Sequence, residues 1–197
     1  MKKIKLQIIE SILQSIEVKK QIVEDENVIT KIADVSSIII KAYKNNNKIL
    51  FCGNGGSAAD AQHLSAELSG RFKIDRDPLD AEALHVNTSY ITAVANDYSY
   101  DEIYSRLIKA KGRKGDILIG LSTSGNSKNV VKAFKIAKEK DMITISFTGA
   151  RQNLLEGLSD VTIKVPSQDT ANIQESHIMI GHIICDLVEK ELFKGEK

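Results

Sequence analysis

The fold of this chain is organised around residues 47–72, NKILFCGNGGSAADAQHLSAELSGRF. A short apolar segment typical of a strand leads into a glycine-rich turn, and a helical pattern follows that ends near Gly70. A strand that passes through small residues into a helix N-terminus forms an anion site, because free backbone N–H groups and the helix dipole point the same way. The helix carries His63 and Glu67 four residues apart, hence on one face. This stretch therefore predicts a phosphate-sized cradle beside a His/Glu pair.

The composition excludes several functional classes. The chain has 197 residues, of which 42% are hydrophobic, and its 27 basic and 26 acidic residues give a net charge of +1. Such a balance offers no electrostatic footprint for nucleic acid or for an anionic membrane. No apolar run reaches the roughly 20 residues that a membrane-spanning helix needs. Cys52 and Cys185 lie far apart in apolar surroundings, so buried thiols in a reducing cytoplasm are expected.

The remaining chain alternates strands and helices, which predicts βαβ units. We expect an α/β fold: one doubly wound, five-stranded parallel sheet flanked by helices. A single domain over residues 1–197 would comprise an N-terminal helical extension (1–45) and an α/β core (46–197). A short helix is expected after Gly149, and a long final helix from about Thr170 to Phe193. The predicted strands are 48–52, 82–86, 116–121, 142–147 and 160–165.

The two helices predicted within residues 3–45 carry a broad apolar surface that something must cover. Ile4, Ile8, Ile12 and Ile16 recur at helical spacing in the first of them. One interpretation is packing onto the chain's own sheet. The other is a helical bundle shared with further subunits, and periodicity alone does not separate the two.

Two turns follow predicted strands at the carboxyl end, where open α/β sheets bind ligands. The first, GNGGS at 53–57, lacks both the dinucleotide-binding and the P-loop spacing, so by itself it indicates only a turn. The second, STSGNS at 122–127, offers four hydroxyls, a glycine and the start of a helix. Hydroxyls and backbone N–H groups hold a phosphate dianion without a nearby lysine. Four hydroxyls exceed what helix capping needs, so we favour phosphate binding.

The histidines are ambiguous when they are read without a family. His63 and Glu67 suit a metal or base pair, but that spacing is more often a solvated surface pair. His182 lies in an apolar stripe of the final helix, where a core histidine is more common. Gln174 is eight residues away, about 80° around the helix and about 12 Å along it. The two side chains either converge on one point or serve two sites in different subunits.

Four segments together resemble the phosphoheptose isomerases, a branch of the sugar isomerase (SIS) domain superfamily. They are CGNGGSAADAQHLSAELSGRF (52–72), TAVANDYS (92–99), GLSTSGNSKNVVKA (120–133) and IQESHIMIGHIICDLVE (173–189). The likeness covers most of residues 28–192. It implies the SIS fold, a homotetramer with active sites near subunit interfaces, and bundle packing of the N-terminal helices. The implied reaction converts sedoheptulose 7-phosphate to D-glycero-D-manno-heptose 7-phosphate through an enediol, the first step of heptose precursor synthesis for surface polysaccharide.

The resemblance also implies roles for individual residues. Glu67 and His182 match the base and acid of the family. His63, Glu67, Gln174 and His182 match its zinc ligands, with one ion expected per active site. Arg71 is expected as a supporting cation. The other implied substrate contacts are Asn54, Gly55, Gly56, Ser57, Asn96, Asp97, Ser122, Thr123, Ser124, Ser127 and Gln174.

The chain departs from the family pattern beside the expected site. Many members have arginine at the position of Asn172, and others have aspartate at Ala171. The segment Ala150–Asn153 replaces the usual glycine run. These changes bear on substrate specificity or the product anomer more than on the reaction class.

Three other functions are alternatives for this sequence. A SIS relative that binds the replication initiator lacks the residues at Glu67 and His182, and this chain has both. A sugar-phosphate sensor would need a DNA-binding module, for which no motif is visible. An isomerase acting on a pentose phosphate is the remaining alternative.

Overall fold

The computed structural model describes residues 1–195, which form alternating helices and strands. Two helices come first, a βαβ arrangement follows, and a long helix closes the fold. In chain order the elements are α1 (Lys2–Glu24), α2 (Glu26–Lys44), β1 (Ile49–Gly53), α3 (Gly56–Ser69), β2 (Ala81–Ala83), α4 (Thr88–Asp97), a 3-10 turn (Tyr100–Glu102), α5 (Ile103–Lys111), β3 (Ile117–Leu121), α6 (Lys128–Glu139), β4 (Ile143–Thr148), β5 (Val161–Lys164) and α7 (Thr170–Leu192).

The five strands form one parallel sheet in the order β2-β1-β3-β4-β5, which confirms the predicted fold class. The strands β1 and β3 are neighbours, with Phe51 opposite Ile119 and Gly53 opposite Leu121. The chain winds outward in one direction from β1 and in the other from β3, so strand order reverses between them. A crevice at the carboxyl ends of such a strand pair is where ligands bind in this kind of sheet. The turns after β1 and β3 both lie there.

Helices cover both faces of the sheet. Alternate side chains of each strand point to opposite sides, so Phe51 and Ile119 join a core with α2, α3 and α7, whereas Leu50 and Leu118 join one with α4, α5 and α6. Burial of the strands on both faces explains their nearly continuous apolar sequences. The α2–α3–α7 face carries the predicted His and Glu residues.

Packing onto the chain's own sheet, the first alternative for the N-terminal helices, is what α2 shows. The apolar side of α2 packs onto the chain's own core, where Val35 and Ile39 are fully buried. Along α1, only Val18 and Ile22 are buried. Its other large apolar side chains are 52–73% exposed: Ile4, Leu6, Ile8, Ile9, Ile12, Leu13, Ile16 and Val23. Residues 1–195 of the same chain therefore leave one side of α1 uncovered.

The predicted short helix after Gly149 is wrong, because residues 151–159 form turns. The segment is held against the second turn instead: Leu154 N–H donates to Asn126 Oδ1 (2.9 Å) and Leu155 N–H to the Gly125 carbonyl (3.1 Å). Those bonds use backbone groups that a helix would need for itself. The strand predicted at 82–86 is shorter than expected and ends at Ala83.

Cys52 and Cys185 are both buried free thiols, as predicted. Burial raises the pKa of the Cys185 thiol to about 12, so it stays protonated at neutral pH. Among the helices within residues 1–195, none combines the length and apolar character required to cross a membrane.

Candidate active site

The turns after β1 and β3 are joined by a reciprocal pair of amides. Asn54 Nδ2 donates to Asn129 Oδ1 (2.9 Å), and Asn129 Nδ2 donates back to Asn54 Oδ1 (2.8 Å). The Tyr100 hydroxyl donates to the same Asn54 oxygen (3.1 Å). Asn129 lies in the first turn of α6 and is buried. Most of the Asn54 amide is therefore used to hold the two turns together.

A cleft of about 460 Å³ opens between these turns and the start of α7. Gly55 precedes α3 with φ +57°, a left-handed conformation in which glycine carries no steric penalty. This geometry turns the chain sharply from β1 into α3, so that the helix N-terminus faces the cleft. The lining residues are Asn54, Gly56, Ser57, Thr123, Asp169, Thr170, Ala171 and Gln174.

The hydroxyls of the second turn differ in how much of their bonding capacity is used. Ser122 accepts from the Gly125 N–H (3.1 Å) and lies 3.1 Å from the Ser127 hydroxyl. Ser124 accepts from the Asn126 N–H (3.2 Å). The Thr123 hydroxyl makes no hydrogen bond within the described residues, and Thr123 lines the cleft. Thr123 is therefore the hydroxyl most available to a ligand.

A second pocket of about 150 Å³ adjoins the cleft and shares Thr123 and Thr170 with it. Ser124 and Arg151 also line this pocket, and the Arg151 Nε–H donates to Gln168 Oε1 (3.3 Å). The guanidinium supplies positive charge beside the serine- and threonine-rich turn. An anion in the pocket would thus meet both hydroxyls and a cation.

The helices α3 and α7 run side by side in the same direction and meet at Gly181. A Cβ at this position would lie 2.5 Å from Leu64 Cδ1, so only glycine allows so close an approach. The approach brings His63 and His182 together, with their Nε2 atoms 2.9 Å apart. The Phe72 ring stacks on His182 at a centroid distance of 5.8 Å.

His63, Glu67 and His182 form one cluster. His63 Nε2 is 3.0 Å from Glu67 Oε1, and one potential ligand atom of each residue lies within 4.8 Å of the others. The His63 side chain is 50% exposed, whereas that of Glu67 is 19% exposed. Two imidazoles and a carboxylate are a common donor set for zinc, and exposure leaves a coordination position open. The three residues therefore fit a metal ion.

The fourth predicted ligand, Gln174, lies elsewhere. Gln174 is two turns before His182 on α7. Its Nε2 donates to both carboxylate oxygens of Asp60 (2.6 and 2.8 Å). Burial raises the pKa of Asp60, although the Gln174 hydrogen bond and the nearby His63 and His182 act in the opposite direction. Within one chain, then, Gln174 belongs to the cleft and to Asp60.

Three of the predicted substrate contacts, Arg71, Asn96 and Asp97, lie outside both pockets and outside the two turns. Arg71 is exposed beside Phe72. Asn96 and Asp97 are exposed at the end of α4, where Asn96 Nδ2 donates to Asp97 Oδ1 (3.0 Å). The described part of a single chain therefore does not bring these three residues to the cleft.

Sequence reasoning did not single out Asp60, Asn129 or Arg151. Asp60 stands three residues before His63 on the same helix face, and this spacing is a signal that could have found it. Asn129 and Arg151 carry no such signal, because contacts between separate loops determine their positions.

The comparisons with known proteins agree on one family. The model of the SIS domain matches residues 12–149. The phosphoheptose isomerase of Clostridium acetobutylicum is 53% identical over 186 residues, which cover 94% of each chain. Phosphoheptose isomerase 2 of Campylobacter jejuni is 54% identical over 179 residues, covering 91% of this chain and 89% of that protein. The solved phosphoheptose isomerase of Neisseria gonorrhoeae superposes with a TM-score of 0.89 at 38% identity, covering 95% of this chain and 99% of that one.

Proposed function

We propose a reaction for this chain, which belongs to the phosphoheptose isomerases of the SIS domain family. It interconverts sedoheptulose 7-phosphate and D-glycero-D-manno-heptose 7-phosphate. The reaction would be the first step of heptose precursor synthesis for surface polysaccharide, and it would take place in the cytoplasm. One observation carries the assignment of the chemistry: His63, Glu67 and His182 form a single cluster on α3 and α7, the two helices whose first turns line the cleft.

In this proposal Glu67 is the base that acts on carbon. Isomerisation removes a proton from carbon 1 of the ketose and returns a proton to carbon 2, with an enediol between the two steps. A carboxylate has two oxygens, so the oxygen that faces His63 leaves the other for proton transfer. The half-buried position of Glu67 keeps the carboxylate ordered at the edge of the site.

His182 would move the second proton. The hydroxyl on carbon 1 must lose a proton while the carbonyl oxygen on carbon 2 gains one, and a neutral imidazole both accepts and donates. The contact between His182 Nε2 and His63 Nε2 requires one nitrogen to donate and the other to accept. This contact describes the metal-free pair, because a ring nitrogen that binds zinc neither donates nor accepts a hydrogen bond.

His63, Glu67 and His182 are the residues that would hold a zinc ion. When bound, zinc supplies a Lewis acid that polarises the sugar carbonyl. Gln174 is about 12 Å along α7 from His182, so we propose that it contacts the cluster of a neighbouring copy.

A homotetramer would bring such copies together. The uncovered apolar row of α1 supports the proposal, because a row of exposed isoleucines and leucines needs a partner surface.

The phosphate of the substrate would lie against Thr123 and Ser124. Arg151 offers the supporting cation that was expected at Arg71.

The proposal is tested by incubating the purified protein with sedoheptulose 7-phosphate and following the product by NMR, with and without a zinc chelator. Unphosphorylated sedoheptulose and ribulose 5-phosphate serve as comparison substrates. We expect aldose formation from the heptulose phosphate alone. Faster turnover of the pentose phosphate would reassign the substrate, and no turnover with any metal would favour a binding protein.

A further inference from the structure

The loop after α3 is fastened by a buried carboxylate of α7. Glu189 is 1% exposed and accepts hydrogen bonds from three consecutive backbone N–H groups: Phe72 (3.0 Å), Lys73 (2.7 Å) and Ile74 (3.1 Å). Consecutive N–H groups that converge on one anion fix the backbone through all three residues. The side chain of a distant helix thus determines the conformation of this loop.

Arg76 extends the same arrangement to α3. Its side chain is fully buried, and its Nε–H donates to Glu189 Oε1 (2.9 Å). Its Nη groups donate to the carbonyls of Glu67 (2.9 Å) and Leu68 (3.0 Å) at the end of α3. These helix-end carbonyls have no partners inside the helix, so the guanidinium acts as their cap. We call this ion pair and its backbone bonds the Arg76–Glu189 clamp.

Two of the clamped groups belong to the proposed catalytic cluster or touch it. Arg76 donates to the backbone carbonyl of Glu67 itself. Glu189 accepts from the N–H of Phe72, and the Phe72 ring stacks on His182. We propose that the Arg76–Glu189 clamp is a positioning device: it fixes the backbone of Glu67 and, through Phe72, the orientation of the His182 ring. The inference rests on the proposed function of that cluster.

The chemistry of the clamp fits a device that specifies geometry. A buried ion pair contributes little net stability, because desolvation offsets much of the attraction. Burial alone would raise the pKa of Glu189, but the N–H groups of Lys73, Phe72 and Ile74 and the Arg76 guanidinium outweigh it and hold the pKa below its usual value. The carboxylate is therefore charged at neutral pH and keeps all of its donors.

A second clamp at the opposite end of the sheet supplies a matched control. Asp116 is 2% exposed and accepts from the backbone N–H groups of Lys48 (3.1 Å) and Arg113 (3.0 Å) and from Lys48 Nζ (2.7 Å). It precedes β3, at the amino ends of the strands, and touches no member of the cluster. Substitution of Asp116 reports what the loss of a buried carboxylate does to stability alone.

The orientation of His182 can be measured without any substrate. The chain has four histidines, so histidine-selective ¹³C labelling gives four ring signals, and the signal missing from His182→Gln identifies His182. We expect Glu189→Gln to shift the signal of His182 and, through their contact, that of His63. Those of His85 and His177 should stay in place. In Asp116→Asn all four signals should remain where they are.

Steady-state kinetics test the consequence for catalysis. Misplacement of a reacting group by about 1 Å costs up to about 100-fold in rate, so we expect Glu189→Gln to lower kcat by about 10- to 100-fold with KM within about twofold. Asp116→Asn should lower Tm with kcat unchanged. Phe72→Leu should lower kcat by roughly threefold or more, because it removes the stacked ring. Phe72→Tyr keeps an aromatic ring and should have the kcat of wild type.

The outcomes separate this inference from the proposed function. If Glu189→Gln does not fold, the kcat of Phe72→Leu decides whether Phe72 positions His182. Unchanged kcat in Phe72→Leu would overturn the positioning role. Wild-type protein without isomerase activity would instead refute the proposed function, and the NMR comparison would still judge the clamp.

Discussion

The Nε2 atoms of His63 and His182 lie 2.9 Å apart although 119 residues separate them in the chain. The contact exists because α3 and α7 lie side by side in the same direction and Gly181 lets them approach closely. Glu67 adds its carboxylate from the next turn of α3, 3.0 Å from His63. The catalytic proposal depends on this helix pair.

The approach at Gly181 predicts a steric effect on both stability and activity. In Gly181→Val the new side chain meets Leu64, so the helices must separate, and overpacking of this kind costs about 1–3 kcal/mol. We expect a lower free energy of unfolding in urea and a lower kcat. Gly157→Ala is the control, because its Cβ would meet nothing closer than 3.9 Å. A Gly181→Val protein as stable and active as wild type would refute the packing argument.

Zinc affinity tests the cluster as a metal site. His63→Gln removes one of three converging ligands, so we expect the zinc dissociation constant measured by calorimetry to rise by about 100-fold or more. Gln174→Ala should have a smaller effect, because an amide oxygen is a weak zinc ligand. His85→Gln should bind zinc as wild type does. Equal affinity in wild type and His63→Gln would contradict the assignment.

Thr123 is predicted to contact the phosphate. A hydrogen bond to a charged group contributes about 1.5–3 kcal/mol, so Thr123→Val should raise KM for the heptulose phosphate by about 10-fold or more. The constant for inhibition by inorganic phosphate should rise in parallel. Thr92→Val, on the exposed side of α4, is the matched control. A Thr123→Val enzyme with wild-type KM would place the phosphate elsewhere.

His177 makes stability depend on pH. Burial lowers its pKa from 6.5 to about 4, although its Nε2–H donates to the Thr148 carbonyl (3.2 Å). Below pH 6.5 the unfolded state therefore binds a proton that the folded state does not, and stability falls as the pH drops. Between pH 7 and pH 5 the loss amounts to about 2 kcal/mol.

Urea unfolding at these two pH values checks the effect. His177→Met should show a loss smaller by about 2 kcal/mol, because the group that titrates has been removed. If the pH dependence of His177→Met equals that of wild type, His177 is not the origin of the effect.

The sheet was predictable because its signals are local. Five apolar segments of strand length, separated by helical patterns, define a parallel sheet without knowledge of the tertiary contacts. The error at residues 151–159 arose because Asn126 and Gly125, distant in sequence, take up the hydrogen bonds of that segment. Long-range hydrogen bonds leave no periodic trace in the sequence.

The candidate site was predictable to a lesser degree. The spacing of His63 and Glu67 shows that they share a helix face, but only the α3–α7 packing brings His182 to them. The interaction of Gln174 with Asp60 is likewise a tertiary contact. The clamp formed by Arg76 and Glu189 was not predicted, since 113 residues separate its two charges.

The most direct test compares wild type with Glu67→Gln and His182→Gln by NMR detection of D-glycero-D-manno-heptose 7-phosphate from sedoheptulose 7-phosphate. General acid–base groups contribute about 10²–10⁴-fold, so each variant should lose at least about 100-fold in kcat. Circular dichroism and the oligomeric state should match those of wild type. Full activity in both variants would contradict the account.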